Sequence, residues 1–225
     1  MNNPYLPAIL GKFKDDPFFE VICVDGGSTD GTVDYVNQQN FNVIILPNST
    51  RAARLNEGIK HSTHSQVLLH HPRSKISADG VLFLKNSINQ LNWAAFTHQF
   101  DHPHPFLAFV SWYSNEIRVK RKQLTYLDHC IVVKKDYINR QPIPDIAVFE
   151  DTALSTMLKK SGYKPILLPY PVTTSAIRFL TRGIYKHFLL NQWIKCLYHL
   201  GFDHRRINKL YEHRLDLNQK NNLTP

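Results

Sequence analysis

The chain has 225 residues, 43% of them hydrophobic, which is enough for one sizeable core and about the size of one domain. With 27 Lys and Arg against 18 Asp and Glu the formal net charge is +9, which suits a polyanionic partner: nucleic acid, a diphosphate ligand or an anionic membrane surface. Cys23, Cys130 and Cys196 stand far apart with no C-x-x-C pair, which excludes a disulfide framework and a zinc-type spacing and reads as reduced thiols in a cytosol.

In chain order, the N-terminal MNNPYLPAILGKFKDDP lacks a basic stretch followed by a long apolar one. No later segment reaches the roughly 18 apolar residues that span a bilayer, so neither secretion nor a transmembrane span is expected. Val21, Ile22 and Val24, closed by Gly26 and Gly27, predict a buried strand, and Thr32 to Asn40 a helix. NVIILP predicts a second strand ended by Pro47, and RAARLNEGIKHS a helix with Ala52, Leu55 and Ile59 on one face. QVLLHH is a third strand, and this succession predicts βαβ units on a parallel sheet.

A helix is expected around Ala78 to Leu91. WAAFTHQFDHPHPFLAFVSWYSNEIRVKR then alternates like antiparallel strands about a His/Pro turn. DHCIVVKKDYI supplies another strand and a helix start. VFEDTALSTMLKKSGYKPILLP predicts a helix with Ala153, Leu154, Met157 and Leu158 inward, stopped by Gly162 before a strand. Phe179 to Leu217 reads as helical, aromatic and basic, and 218–225 as a flexible polar tail. No linker-like composition divides 1–217, so one domain is expected, with a regular βα part at about 18–76, a less regular part at about 77–178 and C-terminal helices at about 179–217.

The most informative stretch is VDGGSTDGT. Asp25 at a strand end, followed by Gly26, Gly27, Ser28, Thr29, Asp30 and Gly31, makes a tight turn with open backbone N–H groups and carboxylates able to accept from a sugar hydroxyl or a base imide. The alternative is a plain Gly-rich βα turn in which Asp30 or Thr29 caps the helix.

VDGGSTDGT resembles the start of nucleotide-sugar glycosyltransferases of the family 2 type, with a GT-A fold. TRAARLNEGIKHS looks like their next βα segment, with Arg51 and Asn56 at matching positions. LDHCIVVKKDYI resembles the segment before the acceptor site, and PIPDIAVFEDTALSTMLKKSGYKPILLPYPVTTSAIRF the region carrying a Glu-Asp pair and a Thr-Ser-Ala-x-Arg stretch. LLNQWIKCLYHLG is similar to the C-terminal helices of the bacterial radical-SAM/selenodomain-associated transferase 2 subgroup.

The resemblance implies a Rossmann-type, mostly parallel sheet flanked by helices, and sugar transfer from a nucleotide-diphosphate sugar to a saccharide or lipid-linked acceptor hydroxyl with inversion. Asp25 would bind the base edge, and Asp30 with the turn backbone would shape the nucleotide pocket. Asp151 of Glu150-Asp151 would be the general base, and Arg178 would offset charge on the departing diphosphate. Without the resemblance, Glu150-Asp151 reads as N-terminal helix capping and Arg178 as a solvated helix-start arginine.

Two departures from the family pattern stand out. Where the family carries an Asp that ligates Mn²⁺ or Mg²⁺, the sequence reads LLHHPRSKIS. His70 matches a family histidine and is a weak metal ligand, Pro72 occupies the Asp position, and Arg73 and Lys75 are placed to meet the diphosphate directly. The family's first apolar strand is also missing ahead of Met1-Asn2-Asn3-Pro4.

Two other functional readings accompany transfer: a degenerate relative that binds nucleotide sugar without transferring it, and a basic nucleic-acid binder suggested by RVKRKQ, for which no recognisable module exists, so no nucleic-acid partner is expected. Peripheral contact with the inner face of the membrane is expected through Arg178 to Leu200, with Phe179, Leu180, Ile184, Phe188, Leu189, Trp193, Ile194 and Leu197 as the apolar surface. Ordinary packing of these helices on the core is its alternative.

Overall fold

Two separate sheets carry the architecture of the computed structural model, which describes residues 3–212. The first is small: β1 (Ile22–Asp25) and β2 (Asn42–Ile45) pair in parallel, joined by α2 (Thr32–Gln38). A short helix, α1 (Leu6–Leu10), precedes them, and α3 (Arg51–His61) follows, its first turn capped by Thr50, whose hydroxyl accepts from Ala53 N–H at 3.0 Å.

The second sheet has five strands in the order β3 (Gln66–Leu69), β6 (Ile131–Lys134), β5 (Trp93–Phe100), β7 (Ile166–Thr174), β4 (Ser74–Ile76). β5 and β7 run parallel, while β3/β6, β5/β6 and β4/β7 are antiparallel. The expected βαβ succession therefore holds at β1–α2–β2, and the larger sheet is mixed.

Strand periodicity builds the core on both faces of the five-stranded sheet. Ile131 and Val133 point to one side with Val67, Leu69 and Trp93, under α3, α6 (Lys135–Arg140) and α7 (Glu150–Lys160). Cys130 and Val132 point to the other with Ala94, Phe96 and Leu168, under α4 (Ala78–Ser87). α4 sits so close that a Cβ on Gly80 would lie 2.8 Å from Ile76 Cγ2 and 3.0 Å from Phe96 Cε1. Pro169 and Pro171 cannot donate to the ladder, and the β5/β7 register slips there, between Phe96 and Thr97.

Residues 105–121 correct the sequence expectation. In place of a second antiparallel strand they form α5 (Pro105–Trp112) and a π-helical continuation, Tyr113–Arg121. His104 accepts from Phe106 N–H and Pro105 occupies the first turn, so the His/Pro turn is a helix start. Asn115 then clamps the helix to β5 by donating to His98 O at 3.0 Å and accepting from His98 N–H at 2.9 Å.

Beyond β7 come α8 (Ile177–Arg182), α9 (Ile184–His199) and α10 (His204–Glu212). The expected continuation of the helices to Leu217 and the tail at 218–225 lie outside the described residues.

Among the described residues, neither β1 nor β3 has a strand on its second edge. A cavity of about 900 Å³ lies between them, lined by Ile22 and Val24 of β1, Val67 and Leu69 of β3, and Leu10 and Phe13 beside α1.

Candidate active site

The polar end of this cavity gathers side chains from four chain segments. At the end of β1, Asp25 organises the glycine turn: Oδ1 accepts from Gly27 N–H at 2.8 Å and Ser28 N–H at 2.6 Å, and Oδ2 from Ser28 Oγ at 2.6 Å. Gly27, with φ +99°, holds a backbone conformation that disfavours a side chain. Asp30 Oδ1 accepts from Thr32 Oγ1 at 2.6 Å and Thr32 N–H at 3.1 Å, fixing the start of α2. Gly26, Gly27, Ser28 and Asp30 all line the cavity, so the turn faces the space a nucleotide would fill.

The same cavity has a cationic wall. Arg51, Arg54, Arg73 and Arg178 line the cavity, and His71 sits among three of them. Burial, with Arg51, Arg73 and Arg178 adding to it, pushes the His71 imidazole down to about 3 despite Asp128 nearby. Burial pushes His70 down to about 4, and its ring meets the edge of Phe13 at 5.9 Å. Both imidazoles are thus neutral at pH 7, and the wall's charge is carried by guanidinium groups. Arg178 also reaches α10, donating to Glu212 Oε1 at 3.1 Å and lying 4.7 Å over the Tyr211 ring.

The two carboxylates at the start of α7 are buried. Glu150 is fully inaccessible and its Oε1 is ion-paired and hydrogen-bonded with Arg51 Nε, joining α7 to the start of α3. Its Oε2 is buried with no hydrogen-bond partner among the described residues. Asp151 is 8% exposed; Oδ1 accepts from Thr152 N–H at 2.7 Å and Oδ2 from Leu127 N–H at 3.2 Å. Burial and the adjacent Glu150 carboxylate push the Asp151 carboxyl up to about 7, against the opposing pull of Arg51 and the Leu127 N–H. The preceding residue, Phe149, is a buried aromatic at φ +65°, a strained conformation in the turn that presents the pair.

Asn56 has a different post. Its carboxamide donates to Ile143 O at 2.8 Å and accepts from Ile143 N–H at 3.0 Å, so it ties α3 to the loop before α7 and does not line the cavity. Lys75 lies 4.9 Å over the Tyr5 ring, also away from the cavity lining.

Several groups around Asp151 were not assigned to the site from the sequence, where Lys195 reads as a cation beside the membrane-facing helix and Arg118 as part of RVKRKQ. Lys195 of α9 is pushed down to about 7, first by burial and then by Arg118, with Asp128 and Asp151 pulling the other way. Arg118 lies 5.0 Å over the Tyr126 ring and Lys195 5.7 Å over the same ring. Asp128, on the short turn Leu127–His129, is held below the usual carboxylate range by His98, His129, His71 and Arg118, which together outweigh its burial. Lys195 did leave a trace, as the single charge in the otherwise uncharged NQWIKCLYHLG.

A divalent cation fits this donor set poorly. Pro72 stands where the family pattern places an acidic ligand, and His70 is enclosed beside Phe13. Mg²⁺ and Mn²⁺ prefer carboxylate and water oxygens, and no group of three or more His, Cys, Asp or Glu able to hold a metal forms among the described residues.

Known proteins resemble this chain at two levels, a sequence family over its N-terminal part and an overall fold. The family described as Glycosyl transferase family 2 matches residues 3–70, the span that includes the glycine turn and Arg51. No curated protein matches the sequence. Among solved structures, S. aureus TarS superposes with a TM-score of 0.59 at 13% identity, covering 93% of this chain and 40% of that one. The 1–349 portion of TarS in complex with UDP-GlcNAc gives a TM-score of 0.60 at 12% identity, covering 96% and 69%, and its UDP complex gives 0.55 at 16%, covering 93% and 66%. The architecture is GT-A-like, and the chain spans 40% of the longest of these relatives.

Proposed function

We propose that this chain is a glycosyltransferase that moves a sugar from a nucleotide-diphosphate sugar to an acceptor hydroxyl with inversion at the anomeric carbon. The observation that carries the proposal is Asp151: a buried carboxyl at a helix start, pushed up to about 7, which does not itself line the cavity but is linked to it through Glu150 and Arg51, the latter lining the cavity together with the glycine turn. The family match over residues 3–70 and the likeness to a structure holding UDP-GlcNAc support the donor class. The C-terminal likeness to the radical-SAM/selenodomain-associated subgroup rests on LLNQWIKCLYHLG alone.

In this reading the nucleotide lies along the Asp25–Asp30 turn, its diphosphate toward Arg51, Arg73 and Arg178. The acceptor hydroxyl approaches Asp151. Its oxygen forms the new bond to the anomeric carbon as its proton passes to Asp151. The bond from that carbon to the diphosphate oxygen breaks, and the electron pair leaves with the nucleoside diphosphate. Fixed guanidinium charges stabilise the growing negative charge, a role that preorganised cations fill without a metal. Glu150 holds Arg51 in place and, through its charge, raises the proton affinity of Asp151. The acceptor is a saccharide or lipid-linked hydroxyl, and the three free thiols suit a reducing cytosol.

The inversion is tested by the anomeric configuration of the product read by NMR. A product opposite in configuration to the donor is expected, and a retained configuration overturns the single-displacement mechanism. A second reading, binding of nucleotide sugar without transfer, draws on one observation: the acidic metal ligand of the family pattern is replaced by Pro72.

A further inference from the structure

On the outside of the molecule, α9 carries an apolar stripe that faces away from the core. Tyr185, Leu189, Trp193 and Leu200 are 61%, 65%, 57% and 68% exposed and recur at helical spacing along one side. Phe179 and Ile194, expected from the sequence to belong to a membrane-facing surface, are instead packed inward at 7% and 3% exposure. The stripe is therefore a second, outer face of helices whose other side already fills the core.

The stripe continues onto α5. Phe106 meets Tyr185 at 4.8 Å and Phe188 at 5.0 Å between ring centroids. On its own helix Phe106 meets Phe109 at 6.1 Å, and Phe109 stacks on Trp112 at 5.8 Å. Phe109 and Trp112 are 49% and 52% exposed, so one aromatic surface runs from Trp112 across Phe106 to Tyr185 and along α9. A contiguous patch of this kind on a charged protein marks a surface that something covers.

Charge identifies the occupant. The chain has no acidic residue between Asp151 and Asp203, and Lys186 stands exposed on α9 next to Tyr185. The end of the π-helical continuation adds exposed Lys120, Arg121 and Lys122, and the one acid there, Glu116, is paired with Lys120 at 2.7 Å. Trp and Tyr beside Lys and Arg are the residues that settle at the headgroup level of a bilayer, rings inward and charges on phosphates. We infer that the α5–α9 face seats this protein on an anionic lipid surface.

The test is flotation of the full chain with vesicles of phosphatidylcholine alone or mixed with phosphatidylglycerol. Binding to the mixed vesicles is expected, weakening as salt rises, with a blue shift of tryptophan emission. Trp112 and Trp193 supply that shift, since Trp93 is fully buried. Leu189→Glu and Trp112→Glu, both at exposed positions, should each lower the bound fraction at least about tenfold while the circular dichroism spectrum is unchanged. Equal flotation with both vesicle types, unchanged flotation of both variants, or a dimer in solution that buries the two tryptophans and ignores vesicles would overturn the inference.

Discussion

At pH 8, wild-type protein carries a cost that Asp151→Asn removes. The Asp151 carboxyl titrates near 7 in the folded protein, against 3.8 for the ordinary group, because it is buried beside Glu150. A pKa raised on folding stabilises the folded state below the unfolded value, and that stability is lost as pH climbs through the folded one. Moving the carboxyl from 3.8 to about 7 corresponds to roughly 4 kcal/mol, lost between about pH 4 and pH 7. For a domain of this size about 1 kcal/mol moves Tm by roughly 2–4 °C, so the full swing is roughly 8–16 °C.

Asn cannot ionise, and other carboxylates titrate alike in both proteins, so the quantity to read is the Tm difference between them by differential scanning fluorimetry. The Asn amide also faces one of the two N–H groups that Asp151 accepts from, a fixed loss of about 1–3 kcal/mol that offsets the curve without bending it. The difference should move in favour of the variant from pH 4 to 7 and then level off. Parallel curves for the two proteins would show that Asp151 is already ionised well below neutrality, and the argument for a poised base would fail.

Glu150→Gln removes the carboxylate that raises Asp151, so the acid limb of the rate-against-pH profile should shift to lower pH; an unmoved limb contradicts the coupling. Arg51→Met leaves the inaccessible Glu150 carboxylate without its cation and should cost about 3–5 kcal/mol in urea unfolding, more than Glu150→Gln, whose remaining charge is on the half-exposed arginine. Asp25→Ala, which frees Gly27 N–H, Ser28 N–H and Ser28 Oγ, should weaken nucleotide binding about 10- to 100-fold by titration calorimetry, and unchanged affinity would place the turn outside the pocket. Transfer should persist in EDTA to within about threefold, since the cleft's cations are arginines; abolition by EDTA with rescue by Mn²⁺ would show ligands assembled in another way.

The N-terminal elements were legible because short apolar runs closed by Gly or Pro can be read locally, as at Val24–Gly27 and Ile45–Pro47. Residues 105–121 were misread because FLAFVSWY satisfies both a loose alternation and a helical repeat; the deciding signals were the His104 cap, Pro105 in the first turn and the Asn115 clamp, the last of which is tertiary. The direction of strands in the larger sheet was not readable, because it depends on which strands the chain brings together, as when β6 inserts between β3 and β5. At the site, the Arg51–Glu150 pair joins residues 99 apart, a contact that no local pattern announces. Asn56 drew attention by its matching position, and the structure gives it the backbone of Ile143.

Turnover is the most direct test of the central claim. Wild-type protein and Asp151→Asn would be incubated with a panel of nucleotide-diphosphate sugars and acceptors, and acceptor-dependent release of nucleoside diphosphate counted, with donor Kd measured in parallel. The account predicts turnover by wild type, a loss of about 10²–10⁴-fold in the variant, and nearly unchanged donor affinity. Equal specific activity in the two proteins, or firm donor binding by wild type without any turnover, would contradict it.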